Sequence, residues 1–374
     1  MPSSTSSHAI RELRARTGRQ PGANGRANRN GRAVRMVEAS GNGWRQSYGA
    51  NYVVHVDAPT DTLLEFAASV VRGLEDHPRW LDCRYLYDDA GSAIFEHITA
   101  QPEYYQTRTE ERLLAAHAND IRNTVGDVTL VELGSGSSTK TRRLLRAWCS
   151  RGSAHYVPID INARVLESAC RELVAAFPEL TVEAIAASYE RALPVVAKVS
   201  PLQLAFLGST IGNLDVSETE RFLAMIAASL SPGDTFLLGL DLVKSPAVLE
   251  AAYNDAAGWS ARFTLNLFAR MNRELGAGVP LDAVEHVAFY NDRLERIEIY
   301  ARFLREVHLQ VRPLGRSFRI AAGEMIRTEI SRKFRPDAVA AMASAFSFAH
   351  ERTYLAPDES FAVLLLRRAS RLPG

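Results

Sequence analysis

The sequence predicts an α/β chain, with a mostly parallel sheet covered by helices on both faces and a second, smaller α+β portion. Three observations carry this. After residue 127, short β-branched runs alternate with helical patterns: "VTLVEL", "KTRRLLRAW", "AHYVPID", "ARVLESACRELVAAF", "LTVEAIAAS", "LQLAFLG", "ETERFLAMIAASL" and "DTFLLGLDLV". Such βα repetition builds a parallel sheet. The first of these strands runs into a Gly-x-Gly turn at Gly134 and Gly136. Beyond Lys244 the texture changes to a helical stretch and then to runs alternating apolar with polar residues, the pattern of an antiparallel sheet with one wet face.

In chain order, residues 1–44 hold eight arginines (Arg11, Arg14, Arg16, Arg19, Arg26, Arg29, Arg32 and Arg35) among Ser, Gly and Asn. Too few large apolar side chains are present to order the segment, so a disordered extension or an over-long predicted start is expected, with an RNA-binding arm or an Arg-rich transit peptide as the other readings. From about residue 45, "DTLLEFAASVVRGL", "SAIFEHIT" and "TEERLLAAHANDI" predict a helical N-terminal portion. After the βα series, "AVLEAAYNDAAGWSARFTLNLFARMNREL" predicts helix, while "HVAFYNDRLERIEIYARFLREVHLQV" and "RSFRIAAGEMIRTEISRKF" predict strands. The closing "DAVAAMASAFSFAHERTYLAPDESFAVLLLRRA" predicts a helix and one final strand returning to the first sheet.

Lysine plus arginine (44) nearly balances aspartate plus glutamate (43), so the chain as a whole has no excess charge to draw nucleic acid or an anionic membrane. The three cysteines, Cys83, Cys149 and Cys170, are an odd number without CxxC spacing, which fits neither a disulfide framework nor a zinc site. The nine histidines show no ligand spacing, and no metal is expected. No apolar run approaches the ~18 to 20 residues that span a bilayer, and the N-terminus lacks the apolar core of a secretory signal. A cytoplasmic monomer acting on a small molecule is expected.

The glycine turn places backbone N–H groups and a helix N-terminus beside a ligand. A dinucleotide fingerprint wants a third glycine where Thr139 stands, and "GSGSSTKT" lacks the Gly-Lys-Ser/Thr ending of a Walker loop. The spacing suits a nucleoside without a pyrophosphate, with Glu132 at the strand end and Asp160 ending the next strand, placed to accept from the ribose hydroxyls. S-adenosylmethionine fits, its methionine portion lying over Gly134 and Gly136.

"LYDDAGSAIFEHIT" (86–99), "QPEYYQTRTE" (101–110), "ELGSGSSTKT" (132–141), "FLGSTIGNL" (206–214) and "TEISRKFRP" (328–336) stand in order along the chain. Together they resemble the histidine-specific, S-adenosylmethionine-dependent Nα-methyltransferase family, whose best-known members make hercynine for ergothioneine synthesis. The resemblance spans roughly residues 48–370. It implies a Rossmann-like class I methyltransferase domain (109–243 plus 333–374). A substrate-binding domain (45–108 plus 244–332) would be formed by an N-terminal segment and an insertion after the fifth strand. Implied cofactor contacts are Gly134, Lys140 and Asp160, beside Gly136, with Ser188 at the adenine. Implied substrate contacts are Tyr104, Asn213, Tyr253, Glu329 and Ser331; of these, Asn213, Tyr104 and Tyr253 are expected to align the amine for transfer.

Two apart in a strand, Glu329 and Ser331 share a face and can pair with the two imidazole nitrogens. Taken singly, these residues have plainer readings: Tyr104 and Tyr253 as edge-of-core tyrosines, Asn213 as a turn residue, Glu329 as a partner of Arg327, Arg332 or Lys333 on a solvated face. The chain also departs from the family pattern. Ala187 and Ser188 stand where Gly-Asp is usual, Ile299 where methionine is expected, and Tyr354 near common tryptophans, which points to a reshaped pocket. Three other readings use the same residues: methylation of another aromatic amino acid such as tryptophan, a non-catalytic S-adenosylmethionine-binding regulator, and an RNA methyltransferase guided by the arginine-rich segment. Retention of Glu329 with Ser331 argues against an indole, and retention of Tyr104, Asn213 and Tyr253 argues against a non-catalytic protein.

Overall fold

The strands are β1 (Trp44–Tyr48), β2 (Tyr52–Asp57), β3 (Thr129–Leu133), β4 (Ala154–Asp160), β5 (Leu180–Ala186), β6 (Leu202–Phe206), β7 (Thr235–Asp241), β8 (Val284–Asn291), β9 (Arg296–Phe303), β10 (Val307–Val311), β11 (Arg316–Ile320), β12 (Met325–Arg332), β13 (Phe348–Leu355) and β14 (Phe361–Arg368). The helices are α1 (Thr62–Glu75), α2 (Asp89–Thr99), α3 (Tyr105–Val125), α4 (Arg142–Cys149), α5 (Ala163–Ala176), α6 (Tyr189–Val196), α7 (Val216–Ser229), α8 (Pro246–Tyr253), α9 (Trp259–Leu275) and α10 (Pro336–Ser344). The structure, a computed structural model, describes residues 44–57 and 62–370. The arginine-rich segment therefore lies outside the described residues, apart from Trp44, which begins β1.

Nine strands form one sheet in the order β1-β2-β5-β4-β3-β6-β7-β14-β13. Neighbours from β2 through β7 are parallel. The flanking β1, β14 and β13 join antiparallel. Parallel strands need cover on both faces, which is why the runs are mostly apolar: β6 and β7 are buried at every position. Local signals set the helix starts. Asn162 caps α5 through its side-chain oxygen, and Asp215 with Glu218 forms a capping box on α7. The strand order reverses between β3 and β6, so the crevice for a ligand opens at the carboxyl ends of these strands.

Between β7 and α10 the chain adds no strand to the large sheet. It builds α8, α9, a three-stranded sheet in the order β12-β9-β8, and the hairpin β10-β11. A separate core fills this lobe, with Phe66, Leu74 and Leu86 from the N-terminal segment packed among Leu267, Phe268, Phe303 and Ile326. The described residues all belong to one compact unit, so the second lobe is packed on the first and is not a detached body.

Four expectations change. The N-terminal portion is not only helical: β1 and β2 form a hairpin, and β2 pairs parallel with β5. Residues 45–57 therefore extend the large sheet and do not join the second lobe. The expected boundary at residue 108 falls inside the unbroken helix α3. The stretch after Lys244 is two helices parted at Asn254–Gly258, and the C-terminal segment supplies two strands where one was expected. An edge strand such as β13, with only Phe348 and Tyr354 buried, carries too weak an apolar signal to stand out.

Candidate active site

A cleft of about 1570 Å³ opens at the carboxyl ends of β3, β4 and β6 and is walled on its far side by the second lobe. Every residue expected at the site lines it: Gly134, Gly136, Lys140, Asp160, Ser188, Tyr104, Asn213, Tyr253, Glu329 and Ser331. Ile299, paired with Glu329 across β9 and β12, lines it too. Tyr354 does not. Its hydroxyl donates to Asp120 at 2.7 Å and its ring meets His117 in the core of the large sheet, so the expectation that it reshapes the pocket is corrected.

On the sheet side, the turn after β3 needs glycine. Gly134 has φ +67° and a Cβ there would meet the Tyr189 hydroxyl at 2.8 Å; Gly136 has φ +50°. Asp160 accepts from the Gly136 N–H at 3.0 Å and the Asn162 N–H at 2.9 Å. Burial nevertheless pushes its carboxyl above the ordinary range. The Ser135 hydroxyl is buried beside the turn and has no hydrogen-bond partner among the described residues. A carboxylate ending the second strand of the βα series, a close-approach glycine turn and a spare hydroxyl fit the ribose and methionine portions of S-adenosylmethionine. Ser188, at the N-terminus of α6, makes no capping bond and remains available at the cleft wall. Lys140 pairs with the buried Glu110, which also accepts from the Gly208 N–H.

Glu132 sits beneath the turn, accepting from the Thr141 and Tyr156 hydroxyls. Burial raises its carboxyl to about 7 against those bonds. It is a structural brace under the glycine turn.

The opposite wall is assembled from distant segments. Asn213 ends a short 3-10 turn after β6, and Gly212 lets that turn approach β12, since a Cβ there would lie 2.9 Å from the Arg332 carbonyl oxygen. The Asn213 amide thereby donates to Glu329 Oε1 at 3.3 Å. Among the described residues Glu329 has no ion-pair partner within 4 Å, which excludes its pairing with Arg327, Arg332 or Lys333 on a wet strand face. Burial pushes it up to about 7, opposed by the Lys333 charge and the Asn213 bond. Tyr253 ends α8, and its hydroxyl donates to Ser331 Oγ at 2.7 Å. Tyr104 sits at the N-terminus of α3, edge-on to Tyr253 with ring centroids 6.2 Å apart and to Phe95 at 6.1 Å.

Sequence reasoning missed the layer behind these groups. Asp241, fully buried at the end of β7, binds Lys333 at 2.8 Å and also Lys244, and accepts from the Tyr105 hydroxyl at 2.7 Å. Burial alone would raise its carboxyl, but the two lysines hold it below the ordinary range. Gln106 joins this layer through Tyr253 at 3.3 Å. Tyr105 and Gln106 stood beside Tyr104 in the motif; the one available signal for Asp241 was a lone charge ending an otherwise apolar strand.

The fold, with its cleft at the carboxyl ends of the parallel strands, is that of an S-adenosylmethionine-dependent methyltransferase. A sequence model of the "Histidine-specific methyltransferase, SAM-dependent" family matches residues 66–368, and the chain belongs to that family. It is 40% identical over 320 residues to the histidine N-alpha-methyltransferase of Mycolicibacterium smegmatis, covering 85% of this chain and 98% of that one. It is 31% identical over 208 residues to ergothioneine biosynthesis protein 1 of Neurospora crassa, covering 54% of this chain and 24% of that one. It is 24% identical over 332 residues to an L-tryptophan methyltransferase of Psilocybe serbica, covering 80% and 92%.

Proposed function

We infer that this enzyme transfers methyl groups from S-adenosylmethionine to the α-amino nitrogen of L-histidine, three times in succession, giving hercynine in an ergothioneine-type pathway. The observation that supports the substrate is the pair Glu329 and Ser331 on one wall of the cleft, a carboxylate and a hydroxyl two apart on one strand, which suits a ring with two nitrogens. A phenyl ring would leave buried Glu329 without a donor, and an indole, whose N–H could serve Glu329, would offer no acceptor to Ser331, each at a cost of roughly 1 to 3 kcal/mol. That favours histidine over the tryptophan-type alternative.

S-adenosylmethionine, held by Gly134, Gly136, Asp160 and Ser188 with Lys140 alongside, supplies a methyl group on a positively charged sulfur. The chain's own residues do the rest by orientation. The Asn213 amide and the Tyr104 hydroxyl hold the substrate carboxylate, and the Tyr253 hydroxyl, committed to Ser331, braces the same wall, which leaves the unprotonated amine facing the methyl group. Alignment at near-attack distance supplies most of the rate without a strong base, and none of these three groups is a base near neutral pH. Burial in fact pushes the Tyr104 and Tyr253 hydroxyls well above their ordinary range, keeping them protonated. Repeated transfer asks the pocket to accept growing bulk and a fixed positive charge.

No helix among the described residues is long and apolar enough to cross a membrane. The three cysteines are free, and we place the reaction in a reducing cytoplasm, carried out by a monomer. Incubation of the purified protein with S-adenosylmethionine and histidine, followed by mass spectrometry over time, tests the reading. Mono-, di- and trimethylated histidine appearing in sequence is expected. Cofactor binding without methylated histidine would refute it.

A further inference from the structure

A buried ammonium sits directly behind the ring-reading hydroxyl. The Lys333 side chain is fully buried, and its nitrogen lies 2.8 Å from Asp241 Oδ2, 2.8 Å from Ser331 Oγ and 3.0 Å from the Tyr253 oxygen. An ammonium has three protons and no lone pair, so it donates to all three neighbours. The consequences propagate outward.

The Tyr253 oxygen accepts from Lys333 and also faces the Gln106 Nε2 at 3.3 Å. The Gln106 amide cannot be turned the other way, because its Nε2 also faces the Asp241 carboxylate at 3.5 Å, and a carbonyl oxygen there would meet an acceptor. Filled by two donors, the Tyr253 oxygen must give its own proton to Ser331, 2.7 Å away. Ser331 Oγ then accepts twice, from Tyr253 and from Lys333, and both of its lone pairs are used. Its remaining function is to donate, and the direction left open is into the cleft that it lines.

We propose that Lys333 is a positioning residue that fixes Ser331 as a hydrogen-bond donor, so that the pocket reads a ring with one N–H and one bare nitrogen. This rests on the histidine reading above and deepens it. Glu329 accepts from the ring N–H, Ser331 donates to the bare nitrogen, and the neutral imidazole is thereby selected. A ring with N–H groups on both sides leaves the donor facing a donor. A ring with carbon in place of the bare nitrogen leaves it facing nothing.

The test compares histidine with pyrrolylalanine, which keeps the N–H and replaces the acceptor nitrogen by carbon, as the ratio of their kcat/KM values. Wild type is expected to favour histidine by on the order of ten-fold or more, the range set by an unpaired buried donor. Ser331→Ala removes the donor, and the ratio should fall close to one. Lys333→Met frees a lone pair on Ser331, and the ratio should fall with it while the protein remains folded by circular dichroism. Should Lys333→Met not fold, Tyr253→Phe removes the other proton given to Ser331 and should lower the same ratio. A Lys333→Met or Tyr253→Phe enzyme that loses turnover on both substrates alike, with the wild-type ratio intact, would overturn the assignment and leave Lys333 as a structural ion-pair partner. Failure of wild type to methylate histidine at all would instead strike the functional reading itself.

Discussion

The two walls of the cleft are built by different means. The cofactor wall is local: Gly134, Gly136 and Lys140 share one strand-turn-helix, and Asp160 ends the adjacent strand β4. Its chemistry is largely backbone N–H groups and one carboxylate. The substrate wall gathers Tyr104, Asn213, Tyr253, Glu329 and Ser331 from four separate elements, with side-chain bonds tying Asn213 to Glu329 and Tyr253 to Ser331. The comparison teaches that a backbone-built site is tolerant of its surroundings, whereas a side-chain-built site depends on a second layer, here Asp241, Lys244, Lys333 and Gln106.

The sharpest way to break the comparison is at the cofactor wall. Asp160→Ala removes the charged acceptor for the ribose, and calorimetry should show S-adenosylmethionine affinity falling about a hundred-fold or more. Asn213→Ala comes next: it removes a positioning contact on both substrate and Glu329, so kcat should drop and KM rise together, for a loss of roughly ten- to a hundred-fold in kcat/KM. Unaltered steady-state kinetics would remove Asn213 from the site. Glu329→Ala should weaken histidine about ten-fold or more while narrowing the preference over tryptophan; an intact preference would show that the carboxylate does not read the ring.

A stability measurement separates the walls further. Glu329 titrates near 7 in the folded protein, against about 4.3 in an unfolded chain. The folded state therefore holds the extra proton between these values, and the contribution to stability is full below the lower one and lost as pH rises through the higher one. Glu329→Gln should stabilise the ligand-free enzyme above pH ~7, by at most about 4 kcal/mol and visible as a higher melting temperature, and should match wild type below pH ~4. A gap independent of pH would contradict the buried, unpaired state of this carboxylate. The smallest effect is expected at Tyr354→Phe, which loses one partly buried bond to Asp120 at a cost of about 1 kcal/mol and leaves KM for histidine unchanged, because the residue faces the core of the sheet.

What could be read without the structure follows the same division. The βα series, the glycine turn and Asp160 were legible because each rests on local periodicity or on spacing along adjacent strands. The substrate residues were legible only as members of motifs already known to travel together, since nothing in the spacing of 104, 213, 253, 329 and 331 shows that they meet. The Asp241–Lys333 pairing was not legible for a further reason: a buried ion pair leaves no periodic trace, and Lys333 read as a solvated-face partner of Glu329. The hairpin β1-β2 escaped because Arg45, Gln46 and Ser47 dilute the apolar signal of an edge strand, although "YVVHV" carried it. Tyr354 shows the opposite error, a residue assigned to the pocket by analogy that the fold turns toward Asp120.

The central claim is that the substrate wall selects the imidazole ring. Its most direct test is a competition in one vessel: purified enzyme and isotopically labelled S-adenosylmethionine with equal amounts of histidine, tryptophan, tyrosine and phenylalanine, and products resolved by mass spectrometry. Label confined to histidine, accumulating in the trimethylated form, is the predicted result. Label on an indole or phenyl amino acid would contradict the account and recast Glu329 and Ser331 as readers of a different side chain.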